Sequence, residues 1–185
     1  MGIENVKDLG LEELAKRSLH NDPVAQRLIY ERLAGKMLAV CKRYVGNGEA
    51  AKDVMHDGFI VLFEKMGSYA GSGSFEGWAR KIFVNMALMH LRKSDALRYS
   101  EPVDSLRGLP ALQSSELDKL SSHDLLTCIA LMPAGFRAVF NLYAIEGYTH
   151  EEIGNMLRIN ESTSRSQYVR AREWLQKKLQ NYITE

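Results

Sequence analysis

Residues 149–179 read THEEIGNMLRINESTSRSQYVRAREWLQKKL, and this stretch decides the fold of the second half of the chain. Thr149 is a good N-cap, and Glu152 stands three residues later, where its side chain can return a hydrogen bond to the backbone of Thr149. A helix therefore begins here, and its narrow apolar face consists of Ile153, Met156 and Leu157. A turn at residues 157–160 follows, and Asn160 can cap a second helix. The stretch predicts two helices joined by a tight turn.

The second of these helices, from about Glu161, is basic. Between Ser162 and Gln180 a single acidic residue, Glu173, is opposed by Arg165, Arg170, Arg172, Lys177 and Lys178. Its first turns carry the short polar residues Ser162, Thr163, Ser164, Ser166 and Gln167. A recognition helix places such side chains against base edges in the major groove, while its cations suit phosphates. A solvated surface helix is the alternative for a basic run alone, but cap, turn and polar first turns together predict a helix-turn-helix that contacts DNA.

The charge of the whole chain is nearly balanced, so DNA contacts must come from local patches. The 185 residues carry a net charge of +1, and 45% of them are hydrophobic, which is enough for folded cores. A second basic segment lies between Glu76 and Arg98 and contains Arg80, Lys81, Arg92, Lys93 and Arg98. Between the two basic segments, residues 94–124 are mostly acidic.

The sequence lacks the motifs of disulfide-rich, metal-binding, catalytic and membrane proteins. Cys41 and Cys128 stand far apart among apolar neighbours, so we expect two buried free thiols rather than a disulfide or a metal site. The five histidines are scattered, without HExxH, a phosphate-binding glycine loop or a nucleophile elbow, so we predict no catalytic residues, metal or cofactor. The N-terminus lacks a signal pattern and no apolar run is long enough to span a membrane, which predicts a cytoplasmic protein without membrane insertion.

The first domain is predicted to be helical over residues 1–94. Asn21, Asp22 and Pro23 mark the start of a helix that should run to about Val45. Gly46 and Gly48, just beyond it, should end the helix. A second helix is predicted over 49–66, a loop at residues 69–74 (YAGSGS), and a third helix over 75–93. On the third helix we expect one stripe to face the core, formed by Trp78, Ile82, Met86 and Met89.

A linker is predicted over residues 95–122, where helical periodicity fades and prolines, glycines and serines accumulate. Beyond it, helices over 124–132 and 133–146 precede the helix-turn-helix and complete a second domain over 123–185. The predicted fold class is all-α, with two small helical domains joined by a flexible linker.

In this order the motifs resemble those of bacterial RNA polymerase sigma factors of the extracytoplasmic-function (ECF) subfamily. The resemblance spans nearly the whole chain and is carried by D-x-x-x-D at residues 53–57, F-x-x-W-x-x-x-I-x-x-N at residues 75–85 and the E-E-I of the helix-turn-helix at residues 151–153. It implies sigma domains two and four, and a protein that joins core RNA polymerase, recognises the −35 and −10 promoter elements and promotes DNA opening. The polymerase would supply the chemistry, so the chain would not be an enzyme. An anti-sigma factor is implied as a regulatory partner.

The resemblance also implies roles for three groups of residues. The polymerase-binding helix would present Asp53, His56, Asp57 and Phe59. Contacts to the unpaired −10 strand would come from Tyr69, Lys81, Asn85, Arg92 and Lys93. Contacts to the −35 duplex would come from Thr163, Arg165, Ser166, Gln167, Arg170 and Arg172. Among the last group, Arg165 and Gln167 would reach bases, while Arg170 and Arg172 would hold phosphates. The linker would enter the polymerase active-site cleft.

Three positions depart from the family pattern. Arg158 stands in the turn where the family usually has glycine, so either the turn avoids positive φ or Arg158 is mildly strained. Ser164 stands where a buried valine is frequent, and Gln167 where a basic residue is frequent, so the −35 sequence should not be copied from relatives. The alternative function is a free-standing helix-turn-helix transcription regulator, which would bind DNA without joining polymerase.

Overall fold

The computed structural model describes residues 6–46, 48–94 and 122–184, and within these residues every regular element is helical. The helices are α1 (Leu11–Ser18), α2 (Pro23–Val45), α3 (Gly48–Glu64), α4 (Phe75–Lys93), α5 (Ser122–Leu131), α6 (Ala134–Phe140), α7 (His150–Leu157) and α8 (Glu161–Thr184). Short 3-10 turns occupy Val6–Asp8 and Met66–Ser68, and a π-helical turn occupies Asn141–Ile145. The described residues divide into two compact units, one with residues up to 89 except 43–46, the other with residues 43–46 and those from 90. The predicted linker lies outside the described residues, except that α5 begins at residue 122.

The start of α2 is capped as the sequence predicts. The Asp22 carboxylate accepts hydrogen bonds from the backbone N–H groups of Val24 (2.9 Å) and Ala25 (3.2 Å), which would otherwise lack partners at the helix start. These bonds, with a further one from Arg17, lower the pKa of Asp22. The helix ends at Gly46, which has a φ of 81° that glycine adopts without strain. The predicted bounds of this helix are confirmed.

The core of the first unit lies where α3 and α4 cross closely. A Cβ atom on Gly58 of α3 would lie 2.6 Å from the Phe83 ring of α4, so only glycine allows this approach. Phe59 packs its ring against Phe83 edge-on, with the centroids 4.9 Å apart, and against Tyr30 of α2 at 4.6 Å. The three long helices therefore share one aromatic centre.

The predicted inward stripe of α4 is wrong by one residue, which is a rotation of about 100° around the helix axis. Met89 is 56% exposed, and Trp78, Ile82 and Met86 are only half-buried. The buried stripe consists instead of Phe75, Ala79, Phe83, Val84, Ala87, Leu88 and Leu91. Both stripes have helical spacing, so periodicity alone could not choose between them. As a consequence, the outer face of α4 includes partly exposed apolar side chains.

The second unit is built around the C-terminal half of α8. Ala171, Leu175 and Leu179 on one side of this helix pack in a common core with Cys128, Ile129, Met132 and Phe136. The helix predicted over 133–146 is divided, because α6 ends at Phe140 and a π turn follows, closed by Glu146 N–H donating to Asn141 C=O at 2.9 Å. None of the described helices is both long and apolar enough to cross a membrane.

Both cysteines are buried free thiols, as predicted. Burial raises the pKa of the Cys41 thiol to about 12. Burial also raises the pKa of Cys128, opposed by the positive charge of Lys178 and reinforced by the negative charge of Asp124. Because the thiolate is the reactive form, neither side chain is poised for chemistry.

Candidate nucleic-acid interface

The first helix of the helix-turn-helix begins at the predicted capping box. Thr149 Oγ1 accepts a hydrogen bond from Glu152 N–H (3.2 Å), and the Glu152 carboxylate accepts one from Thr149 N–H (2.8 Å). Two backbone donors at the start of α7 are thereby satisfied. The cap fixes where α7 starts and hence where the turn and α8 follow.

The turn between α7 and α8 is tight and uses a left-handed residue. Arg158 has φ 58° and ψ 45°, in the left-handed region. The turn therefore keeps the positive φ that glycine usually provides in the family, and Arg158 adopts it with mild strain. Ile159 N–H donates to Gly154 C=O at 3.0 Å. A Cβ on Gly154 would lie 2.8 Å from the Ile159 carbonyl oxygen. Gly154 is thus needed for the turn, a role that its mid-helix position in the sequence could have suggested.

Ser164 does not face DNA as its polarity suggested. Its side chain is fully buried, and its Oγ lies 2.9 Å from Nδ1 of His150, itself only 8% exposed. Burial lowers the pKa of His150, with a further contribution from the positive charge of Arg165 and a smaller opposing one from Glu161. A short polar side chain can turn inward when a buried partner exists, so this part of the expectation is corrected.

The remaining polar residues of α8 lie around its outer surface. At about 100° of rotation per residue, Ser162, Ser166 and Arg170 share a ridge opposite the buried side. Thr163 and Gln167, both half-buried, lie on one flank of the ridge. Arg165 and Arg172, both exposed, lie on the other flank. The predicted residues therefore surround the protruding edge of the helix rather than sharing one narrow face.

Arg165 is held on its flank by an exposed ion pair. Its guanidinium bonds the Glu161 carboxylate one turn earlier, with Nε 3.2 Å from the nearer oxygen. Exposed pairs of this kind contribute little to stability, so Arg165 can leave Glu161 for a stronger acceptor at low cost. Ser166 Oγ donates to Thr163 C=O at 3.0 Å and keeps its acceptor capacity outward.

The outer surface of α4 presents a polar face beside half-buried apolar side chains. Lys81 and Asn85 are exposed one turn apart, and Arg92 follows Asn85 two turns later in half-buried form. Lys93 is exposed but lies off this line. Trp78 and Ile82 border Lys81. One surface of α4 thus carries the positive charge of Lys81, the amide of Asn85 and the indole of Trp78. Positive charge and aromatic rings are the groups with which proteins bind single-stranded nucleic acid.

The loop before α4 is closed by its own tyrosine. Tyr69 Oη donates to Gly73 C=O at 2.8 Å, and its ring packs against Phe75 and Trp78 with centroids 5.3 and 5.4 Å away. Gly71 and Gly73 have φ values of 74° and 75°, which the loop path requires. Tyr69 is therefore anchored both to its own loop and to α4, and its side chain, like that of Trp78, remains half-buried.

The acidic face of α3 is exposed, but Phe59 does not belong to it. Asp53, His56 and Asp57 are exposed, whereas Phe59 is 4% exposed and buried in the aromatic centre, which corrects its assignment as a partner contact. Ile60, 59% exposed, completes the face at helical spacing, a position that the sequence pattern could have identified. The face combines two carboxylates with one apolar side chain.

A capped helix-turn-helix with a basic polar ridge defines this chain as a DNA-binding protein of two helical units. Comparison with known families matches residues 29–96 to Sigma-70 region 2 and residues 122–175 to Sigma-70 region 4, about two thirds of the chain together. The chain belongs to the ECF subfamily of the sigma-70 family of RNA polymerase sigma factors.

Individual relatives agree with this assignment. The chain is similar to the RNA polymerase sigma-H factor of Pseudomonas aeruginosa, with 28% identity over 94% of this chain and 96% of the relative. It is also similar to the ECF RNA polymerase sigma-E factor of Escherichia coli, with 26% identity over 92% and 94% of the two chains. Among solved structures, the sigma factor RpoE of Bartonella quintana, crystallised with the anti-sigma factor NepR, has the same fold (TM-score 0.51, 19% identity, 82% and 94% coverage). The fold and the function predicted for the chain are confirmed.

Proposed function

We propose that this sigma factor binds core RNA polymerase through α3, reads the −35 duplex with α8 and captures the −10 strand with α4 and its preceding loop. The observation that carries the proposal is the outward basic and polar ridge of α8. This ridge follows a capped helix, α7, and a tight turn that requires Gly154. We assign domain two to residues 1–94, a linker to 95–122 and domain four to 123–185. The factor would act in the cytoplasm and would leave the chemistry of transcription to the polymerase.

For the −35 element, the ridge of α8 would enter the major groove. Ser166 on the ridge and Gln167 and Arg165 on its flanks would reach base edges, because they are polar side chains within the first two turns of the helix. Arg170 and Arg172, further along, would bind phosphates. Thr163 would support Ser166 through the bond that its carbonyl accepts.

For the −10 element, the outer face of α4 would bind an unpaired strand. Lys81 and Arg92 would neutralise phosphates, Asn85 would hydrogen-bond a base, and the half-exposed indole of Trp78 offers a surface for stacking. Lys93 would add charge near the end of the helix. Tyr69 would keep its neighbouring loop in shape for this task.

For the polymerase, the exposed face of α3 supplies Asp53, His56, Asp57 and Ile60. Two carboxylates one turn apart, with an apolar side chain beyond them on the same face, suit a partner surface that combines basic and apolar groups. The same face is open to a competing anti-sigma factor. A structural relative was crystallised with such a partner, which supports the proposal of one here.

The test is transcription with purified core RNA polymerase of the source organism on genomic DNA fragments, with no other factor present. We expect initiation at specific sites. Asp57→Lys should weaken binding to core polymerase, Lys81→Ala should reduce strand opening, and Arg170→Ala should weaken promoter binding. Lys16→Ala is the matched control, because this lysine of α1 is exposed and pairs with Glu13 on its own helix.

The free-standing regulator predicts a different set of results. Such a protein would bind duplex DNA through α8 while remaining separate from core polymerase in gel filtration. Asp57→Lys would then leave every measured property unchanged. Initiation that depends on Asp57 and Lys81 as well as on Arg170 is the result that only a sigma factor gives.

A further inference from the structure

A side-chain hydrogen bond joins the two helices of the helix-turn-helix. His150 is the first residue of α7, and its Nδ1 lies 2.9 Å from Oγ of Ser164 in the first turn of α8. Ser164 is fully buried and His150 nearly so. The bond therefore lies inside the unit, directly behind the residues assigned to the −35 element.

Aromatic rings hold the imidazole in place. The rings of Tyr143 and His150 stack with centroids 4.3 Å apart and planes 11° from parallel. Tyr168, one turn beyond Ser164 on α8, lies 4.5 Å from Tyr143 and 5.9 Å from His150, measured between ring centroids. The direction of Nδ1 is thus set by packing within the protein before any DNA is bound.

The two side-chain atoms of the bond lie closer together than atoms in apolar contact would. Hydrogen-bonded heavy atoms approach to about 2.9 Å, whereas carbon atoms in contact lie about 3.5–4.0 Å apart. Replacing both partners by apolar side chains would therefore change how the first turn of α8 rests on α7. Gly154 allows an equally close approach at the turn itself.

We propose that the His150–Ser164 hydrogen bond is a positioning contact that sets how the first turn of α8 meets the −35 duplex and thereby which bases it prefers. The proposal rests on the assignment of α8 to the −35 element. Neither residue touches DNA. Both act through Ser166 and Gln167, whose backbone shares the turn that the bond holds.

The variants separate a positioning role from a structural one. Ser164→Ala removes the hydroxyl, while His150→Asn keeps a hydrogen-bonding group near the position of Nδ1. The double variant His150→Leu, Ser164→Val replaces both partners by apolar groups, so that no buried polar group is left unpaired. Ile153→Val is the control, since it removes a methylene from a fully buried neighbour in α7 without touching the bond.

The measurement is the affinity of the full chain for −35 duplexes with every single base change, with urea unfolding of each variant in parallel. For Ser164→Ala and the double variant, we expect the preference for the favoured base over its competitor to change by about two- to tenfold. His150→Asn and Ile153→Val should rank the duplexes as the unaltered chain does.

Two results would overturn the proposal, and they differ. A double variant that folds and ranks the duplexes as the unaltered chain does shows that the bond is structural only. If the unaltered chain itself does not discriminate among the duplexes, the assignment of α8 to the −35 element fails, and this proposal fails with it.

Discussion

At the scale of single residues, the chain differs from expectation where a side chain has a partner that the sequence does not reveal. Ser164 is polar, yet it is buried because His150 lies opposite it in space, fourteen positions earlier in the chain. The family resemblance places Phe59 at the polymerase interface, yet its aromatic side chain fills the centre of the first unit. A polar residue type predicts exposure only when no buried polar partner is available, as the burial of Ser164 shows.

Two glycines should respond oppositely to alanine. Gly154→Ala places a methyl 2.8 Å from the Ile159 carbonyl oxygen and should lower the free energy of unfolding by about 1–3 kcal/mol. Gly35→Ala, in the exposed interior of α2 with no atom within 4 Å of the new Cβ, should raise it by about 0.5–1 kcal/mol. Urea denaturation followed by circular dichroism checks both. Equal effects of the two changes would show that the turn can relax around Gly154.

At the scale of elements, caps and breakers predicted helix ends well, and periodicity predicted helix faces less well. Asp22 and Gly46 bracket α2, and Thr149 starts α7, because these residues satisfy or release backbone groups locally. Which face of α4 is buried depends on the contact of Phe83 with Gly58, two residues that are distant in the sequence. The same limit applies to the site: the ridge of α8 was predictable from local pattern, whereas the contact behind it was not.

The α7–α8 pair should lose stability in mild acid through His150. Burial and the nearby Arg165 hold the pKa of its imidazole below the ordinary 6.5, and Glu161 opposes them weakly. The unfolded chain therefore takes up a proton near pH 6.5 that the folded chain does not. The stability that neutral His150 provides is complete above pH 6.5 and declines as the pH falls below it.

The measurement is urea unfolding of the unaltered chain and of His150→Leu between pH 8 and pH 5. We expect the free energy of unfolding to decline more steeply below pH 6.5 for the unaltered chain. Parallel curves for the two proteins would contradict the assignment of this pH dependence to His150.

At the scale of the whole molecule, DNA binding must arise from a nearly neutral chain. The protein carries 24 basic and 23 acidic residues, so the attraction for DNA depends on where the cations lie. The structure places Arg170 and Arg172 on the outer surface of α8 and Lys81 on that of α4. Each lost phosphate contact should therefore be visible in the salt dependence of binding.

Arg170→Ala should reduce the slope of log K against log salt for the −35 duplex by about 0.9, the value for one phosphate contact. Gln167→Ala, at a neutral position assigned to a base, should lower affinity for the preferred sequence and leave the slope unchanged. Binding isotherms at several salt concentrations give both quantities. Arg27→Ala, an exposed arginine of α2 paired with Glu31, is the control. An unchanged slope for Arg170→Ala would remove Arg170 from the phosphate contacts.

The burial of both thiols makes this protein convenient for site-specific labelling. With the pKa of Cys41 near 12 and that of Cys128 raised as well, neither native cysteine should compete with an introduced surface cysteine for a maleimide dye at neutral pH. Fluorophores can then be attached, one to each unit, in an otherwise unaltered chain. Energy transfer between them would follow the two units in real time as the factor loads onto polymerase and leaves it.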